Sequence, residues 1–259
     1  MMPQELGLLL VFLLVFLFDT FLPKKAQSSL SIFTCVAFAL FTVANIWMSG
    51  TGTAFAGMYE QTAATYAMKF ILNAGMLIML IQATQWANSE FVSVRRGEFY
   101  ELLLVTLLGM YLMISARHFL LFVIGLETAS LPLAALVAFD KKYYESHEAA
   151  AKYMFTAVFS SAIFMLGLSF VYALGGSLYF NDIAVNIMDQ KSALLVVALV
   201  FVISGVGFKL SLVPFHLWTA DVYQGAPTAV TSYLSVISKG ASAFAFLVIL
   251  AQVFGSAYS

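Results

Sequence analysis

An all-α bundle that crosses a membrane about eight times is the fold this sequence predicts, and three observations carry the prediction. Hydrophobic residues make up 62% of the 259-residue chain and charged residues only 10%, against roughly 25% charged in a soluble domain. The apolar residues run on in stretches of about 20, the length a helix needs to span the hydrocarbon core, with short loops between them. Inside three of these stretches stands a charge: Glu127 in FVIGLETASLPLAALVAF, Lys209 in FVISGVGFKLSLVPFHLW and Lys239 in VTSYLSVISKGASAFAFLVIL. Each costs roughly 2.5 to 3.5 kcal/mol at the bilayer centre unless paired or hydrated, so such residues mark function.

Taken in order, the first span lies near residues 5–22. Its MMPQE flank carries no positive charge whereas PKK follows it, so it reads as a retained helix, not a secretory signal, with the N-terminus outside. Further spans fall near 29–49, 65–87, 98–116, 119–139, 149–173, 191–218 and 227–255. Lys24, Lys25, Arg95, Arg96, Lys141 and Lys142 then share one side against Arg117 and Lys191 on the other, which makes the first side cytoplasmic. The longest loops, 50–64 and 174–190, face outward. Trp47, Trp86 and Trp218 sit near helix ends and fit an interfacial belt.

The seventh span interrupts itself. Gly205 and Gly207 loosen the turn before Lys209, and Pro214 removes a backbone donor and clashes with the carbonyl of Leu210. A broken helix is expected there, of the kind in which freed backbone groups hold ions and water, with His216 adding a titratable imidazole. In the eighth span Thr228, Thr231, Ser232, Ser235, Ser238, Lys239 and Ser242 recur at spacings of three and four, predicting a polar stripe that ends at an amine. Lys152, Thr156 and Ser160 form a shorter line in the sixth span, where back-bonding to the helix is an equally good reading. Glu127 stands at a depth similar to that of Lys209 and Lys239, so a pair is expected. Two amines against one carboxylate favour a site that releases protons over a static bridge.

Several function classes are excluded. A net charge of -1 with no basic run removes nucleic acid as a partner. A single cysteine, Cys35, allows no disulfide, thiolate metal site or iron–sulfur cluster held by this chain alone. His118 and His147 read as solvated residues near the membrane surfaces, which leaves no bis-histidine haem site.

The segment GFKLSLVPFHLWTADVYQGAPT, at 207–228, closely resembles the antiporter-like membrane subunits, of the N type, of bacterial proton-pumping NADH:quinone oxidoreductase, respiratory complex I. The likeness extends through GLETASLPLAALVAF at 125–139, HEAAAKYMFTAVFSSAIFMLGLSFVYALGGSL at 147–178 and SYLSVISKGA around Lys239. The resemblance implies an antiporter-like fold with helices 1 to 3 in residues 1–97 and one inverted-repeat unit, helices 4 to 8, in 98–259. It implies that Glu127, Lys209 and Lys239 transfer protons, with Lys152 and His216 on the same hydrophilic axis. It further implies a multi-pass protein of the bacterial inner membrane, in contact with lipid and with other complex I membrane subunits, including other antiporter-like ones. NADH, FMN, iron–sulfur clusters and quinone would belong to partner subunits, with no cofactor bound by this chain. That family is similar to a fourteen-helix protein with two inverted five-helix repeats, and the second repeat is absent from this sequence. A multisubunit cation/proton antiporter, a membrane-bound hydrogenase and a purely structural assembly segment are the competing readings.

Overall fold

The computed structural model describes residues 2–21, 28–47, 50–89, 92–187 and 192–255; Lys24, Lys25 and Lys191 lie outside the described residues. Among the described residues, eight helices are long and apolar enough to cross a membrane. In chain order the helices are α1 (Pro3–Phe21), α2 (Ser28–Ala44), α3 (Ala63–Ala87), α4 (Arg96–Ile114), α5 (Phe119–Val137) and α6 (Tyr144–Gly175). They continue as α7 (Phe180–Ile187), α8 (Ala193–Leu210), α9 (Leu217–Gly225) and α10 (Thr228–Phe254). The predicted spans match these within a few residues except the seventh, which stops at Leu210, and α7 arises inside a predicted loop. An eight-residue helix escapes a search for membrane-length apolar runs.

Of the spanning helices α4 is the most deeply enclosed, packed by α1, α3, α5 and α10. Its apolar residues run all round the helix, the pattern of a core element. The α4–α5 crossing is close because both helices present glycine at it. A Cβ on Gly109 would come within 2.5 Å of Ala129 N, and one on Gly125 within 2.6 Å of Met113 N. Small residues let membrane helices approach backbone to backbone, and here they seat the Glu127 turn of α5 against the core. Pro132 lies inside α5 and leaves the carbonyl of Thr128 without its helical donor.

One end of the bundle is stitched by short extended segments. Strands β1 (Gly52–Ala54) and β2 (Tyr59–Gln61) form an antiparallel hairpin with Ala54 opposite Tyr59. Bridges then join Tyr59 to Ala116 and His118 to Tyr179, tying the 50–62, 115–118 and 176–187 connections together. His118 corrects the expectation of a solvated residue: it is buried, and its Nδ1 caps α5 by accepting from Leu120 N at 3.1 Å. Burial lowers its basicity, partly offset by Asp182. Arg117 shares this end, whereas Arg95, Arg96, Lys141 and Lys142 share the other.

Candidate functional site: an interrupted helix against Glu127

Helix α8 ends at Leu210, four residues before Pro214, where the missing N–H would have been needed. Ser211 takes a left-handed conformation (φ 57°) and reverses the chain. The carbonyl of Phe208 accepts from Ser211 N at 2.9 Å and from the Trp218 indole at 3.2 Å. Here one expectation is corrected: Trp218 is a buried part of the break, its ring tilted against that of Phe208 with centres 4.7 Å apart, not a belt residue.

The turn that ends α8 turns the Lys209 side chain inward, where its Nζ donates to Ser130 Oγ on α5. Lys209 is 6% exposed. Ser130 donates in turn to the carbonyl of Leu126 at 2.5 Å. Glu127, one turn before Ser130, lies within electrostatic reach of Lys209, yet no ion pair joins them. The expected Glu127–Lys209 pair is therefore a hydroxyl-held ammonium with a carboxylate near it. Glu127 Oε1 is buried without a hydrogen-bond partner, as is the Tyr153 hydroxyl, which also lies within reach of Glu127. Between them a cavity of about 10 Å³ is lined by Glu127, Ser130, Tyr153 and apolar residues of α5 and α6. That is close to the least volume that admits one water.

Lys239 stands apart. It follows a π-wound stretch of α10, Tyr233–Ser238, and its Nζ lies 5.1 Å from the centre of the Tyr223 ring, with no carboxylate partner among the described residues. A π-turn adds a residue to one turn, rotating everything after it by about 100°. The predicted polar stripe is therefore not one face: Ser238 and Ser242 are buried while Ser235 is exposed. Its hydroxyls bond back to their own helix, Ser232 to Thr228 O at 3.0 Å and Ser242 to Ser238 O at 2.8 Å. Tyr153 and Tyr223 act on one another and stand between Glu127 and Lys239, an aromatic link that the sequence did not mark.

Lys152 is half exposed at the end opposite the hairpin and pairs with Asp221 of α9 at 2.5 Å and Glu148 at 2.7 Å. In the line that follows it, Thr156 bonds back to Lys152 O, whereas Ser160 crosses to the Gly205 carbonyl of α8 at 2.5 Å. His216 is exposed at the start of α9, and the structure does not bring it to Lys209 or Glu127.

Sequence reasoning missed a second buried charge cluster. Lys69 of α3 pairs with Glu5 of α1, the side chains being 0% and 5% exposed. The signal was present, since Lys69 interrupts the apolar run TYAMKFILNAGMLIML just as Lys209 interrupts its own. Glu5 gave none, standing in a polar N-terminal flank.

A bundle with a broken seventh span, an enclosed lysine at the break and a carboxylate across from it defines an antiporter-like membrane protein. Residues 116–258 match the family described as NADH:quinone oxidoreductase/Mrp antiporter, TM, and the chain belongs to that family. It is 51% identical over 254 residues to NADH-quinone oxidoreductase subunit N of Phocaeicola vulgatus, covering 98% of this chain and 53% of that protein. Against the subunit N of Azobacteroides pseudotrichonymphae it is 49% identical, covering 97% and 52%. The chain thus spans about half the length of these curated relatives. A chain of respiratory complex I from Thermus thermophilus superposes with a TM-score of 0.77 at 30% identity, over 94% of this chain and 52% of that one. A chain of an archaeal membrane-bound sulfane sulfur reductase shares the fold, with a TM-score of 0.79 at 20% identity, covering 98% and 54%.

Proposed function

We propose that this chain is part of the proton-translocating N-type membrane subunit of an NADH:quinone oxidoreductase, in which quinone reduction elsewhere drives proton transfer along Glu127, Lys209 and Lys239. The observation that carries this reading is Lys209, an amine enclosed at a helix break, held by one hydroxyl and watched by one carboxylate. The ammonium loses favourable interactions whenever Ser130 or Glu127 moves away, and each 1.36 kcal/mol of lost interaction changes its proton affinity tenfold. A small displacement of α8 against α5 thus releases or binds a proton. Tyr153 and Tyr223 supply hydroxyls between Glu127 and Lys239, and Lys152, bridged to Asp221 at the opposite surface, is the group through which that end exchanges protons with water. His216 would serve the same axis through a neighbouring subunit, since it is exposed on this chain.

In this reading the partners are the other membrane subunits of the complex, and NADH, FMN, iron–sulfur clusters and quinone belong to them. The protein resides in the bacterial inner membrane with its hairpin end outside, as the distribution of arginine and lysine favours. The test is Lys209→Ala in the assembled complex, reconstituted in vesicles. NADH oxidation with a loss of most proton uptake is expected, and near-normal pumping in a fully assembled variant would overturn the assignment. The family description also covers cation/proton antiporters, which favours a second reading as an antiporter subunit without NADH chemistry. Copurification with peripheral NADH-oxidising subunits separates the two.

A further inference from the structure

The Glu5–Lys69 cluster lies near the hairpin end, on elements that supply none of the Glu127, Ser130 and Lys209 side chains. Its members come from four elements: Glu5 of α1, Lys69 and Asn73 of α3, Tyr111 of α4, and Tyr59 with Gln61 of β2. Lys69 donates to Glu5 Oε1 and, at 3.1 Å, to Tyr59 Oη. Its ammonium also lies 5.1 Å from the Tyr59 ring centre and 5.4 Å from that of Tyr111. A pair that fulfils only a structural task inside a membrane gains little over apolar packing, because desolvation offsets most of the attraction.

Tyr59 has one hydroxyl proton and two places to send it. Its Oη stands 2.9 Å from each oxygen of Glu5 and 2.9 Å from Gln61 Oε1. While Glu5 is a carboxylate the phenol donates to it; once Glu5 is protonated the phenol is free to donate to Gln61. Burial and the Glu5 carboxylate hold that phenol protonated, so it remains a donor throughout. Gln61 is itself buried, and its Nε2 donates to the carbonyl of exposed Gly50 at 3.0 Å, one residue from solvent on the hairpin side. The neighbouring strand residue Glu60 pairs with Arg117 at 2.7 Å at the same surface. On the inward side Tyr111 donates to Asn73 Oδ1 and lies within electrostatic reach of Tyr233, itself within reach of Tyr153 beside Glu127. Buried tyrosines thus follow one another from the Glu127 site toward Lys69, each within electrostatic reach of the next, although the Tyr111 and Tyr233 hydroxyls bond to Asn73, Thr106 and Met110 and not to one another.

We propose that Glu5 and Lys69 form a second proton-exchanging pair, open to the hairpin side through Tyr59 and Gln61 and joined to the Glu127 site by Tyr111, Tyr233 and Tyr153. In the step an ammonium N–H of Lys69 breaks and a carboxyl O–H of Glu5 forms, converting the ion pair to a neutral amine and acid with no change of redox state. The acid then loses its proton to water on the hairpin side, and the amine is reloaded from within. The inference rests on the proton-translocating reading above.

The test uses the assembled oxidoreductase in vesicles with Glu5→Gln, Lys69→Met and the double variant, beside Lys209→Ala. Infrared difference spectra on a pH step at the hairpin side read the carboxylic acid stretch directly, and protons moved per NADH oxidised read the consequence. The expected result is a protonated-carboxyl band that is lost in Glu5→Gln and shifted in Lys69→Met, with pumping lowered in all three variants while NADH oxidation continues. The double variant removes both charges together, so it keeps the test alive should a lone buried charge prevent assembly. Absence of a Glu5-dependent band, or normal pumping in the double variant, overturns the proposal. If Lys209→Ala also pumps normally, it is the broader functional reading that has failed; if Lys209→Ala is inactive, only the second pair is disproved.

Discussion

At the scale of single residues, what distinguishes Lys209 from an ordinary buried lysine is the weakness of its hold. Ser130 accepts its proton-bearing nitrogen through a neutral oxygen, and Glu127 acts across a gap, so neither pins the charge as a direct bridge would. Lys69, in direct contact with Glu5, shows a different arrangement in the same chain, in which a proton passes within the pair and needs no displacement of helices. Leaving a buried donor without its acceptor costs about 1–3 kcal/mol, and more when the donor is charged. Ser130→Ala is therefore expected to depress pumping partially by making the Lys209 ammonium harder to form, whereas Ser130→Thr, which keeps the oxygen, restores it; equal pumping in Ser130→Ala and wild type would show that the hydroxyl is incidental. Glu127, Lys209 and Lys239 were legible because a charge within an apolar run has a known cost. Ser130 was not, since a serine in a membrane helix ordinarily bonds its own backbone, and this one does that as well, toward Leu126.

At the scale of elements, function depends on where helices stop, tighten or widen. The α8 break was legible from Pro214 and the paired glycines, but its closure by the Trp218 indole was not, because that bond joins groups brought together only by the reversal of the chain. The π-wound turn before Lys239 has no marker residue and rearranged a stripe inferred from ideal periodicity. The α4–α5 crossing is the element on which the Glu127 site rests. Gly125→Val would drive a side chain into the backbone of Met113, and overpacking of this kind costs about 1–3 kcal/mol. The variant should melt at lower temperature in detergent than wild type and lose pumping through displacement of Glu127 and Ser130, with Gly125→Ala falling between. Wild-type melting and pumping in Gly125→Val would mean that α4 and α5 are not in contact at these glycines.

At the scale of the whole molecule, the two ends differ in kind. The hairpin end is closed by strand bridges and carries Arg117 neutralised by Glu60, whereas the other end carries Arg95, Arg96, Lys141 and Lys142. The positive-inside rule then predicts the hairpin outside. In a Cys35→Ala background, Thr53→Cys should react with a membrane-impermeant maleimide in intact cells and Lys142→Cys only after permeabilisation; the reverse pattern would invert the orientation and with it the direction assigned to each proton path. By itself the sequence determined the membrane class, the number and rough limits of the spans, the interruption of the seventh and three charges within the spans, all of which follow from local composition and from the energetic cost of placing charge and proline in lipid. Only the tertiary structure decided what those charges meet. That Lys209 finds Ser130, that Lys239 lies over Tyr223, and that Glu5 reaches Lys69 across sixty-four residues of chain are consequences of helix packing, since partners from separate helices are set by crossing and rotation, which no single segment encodes.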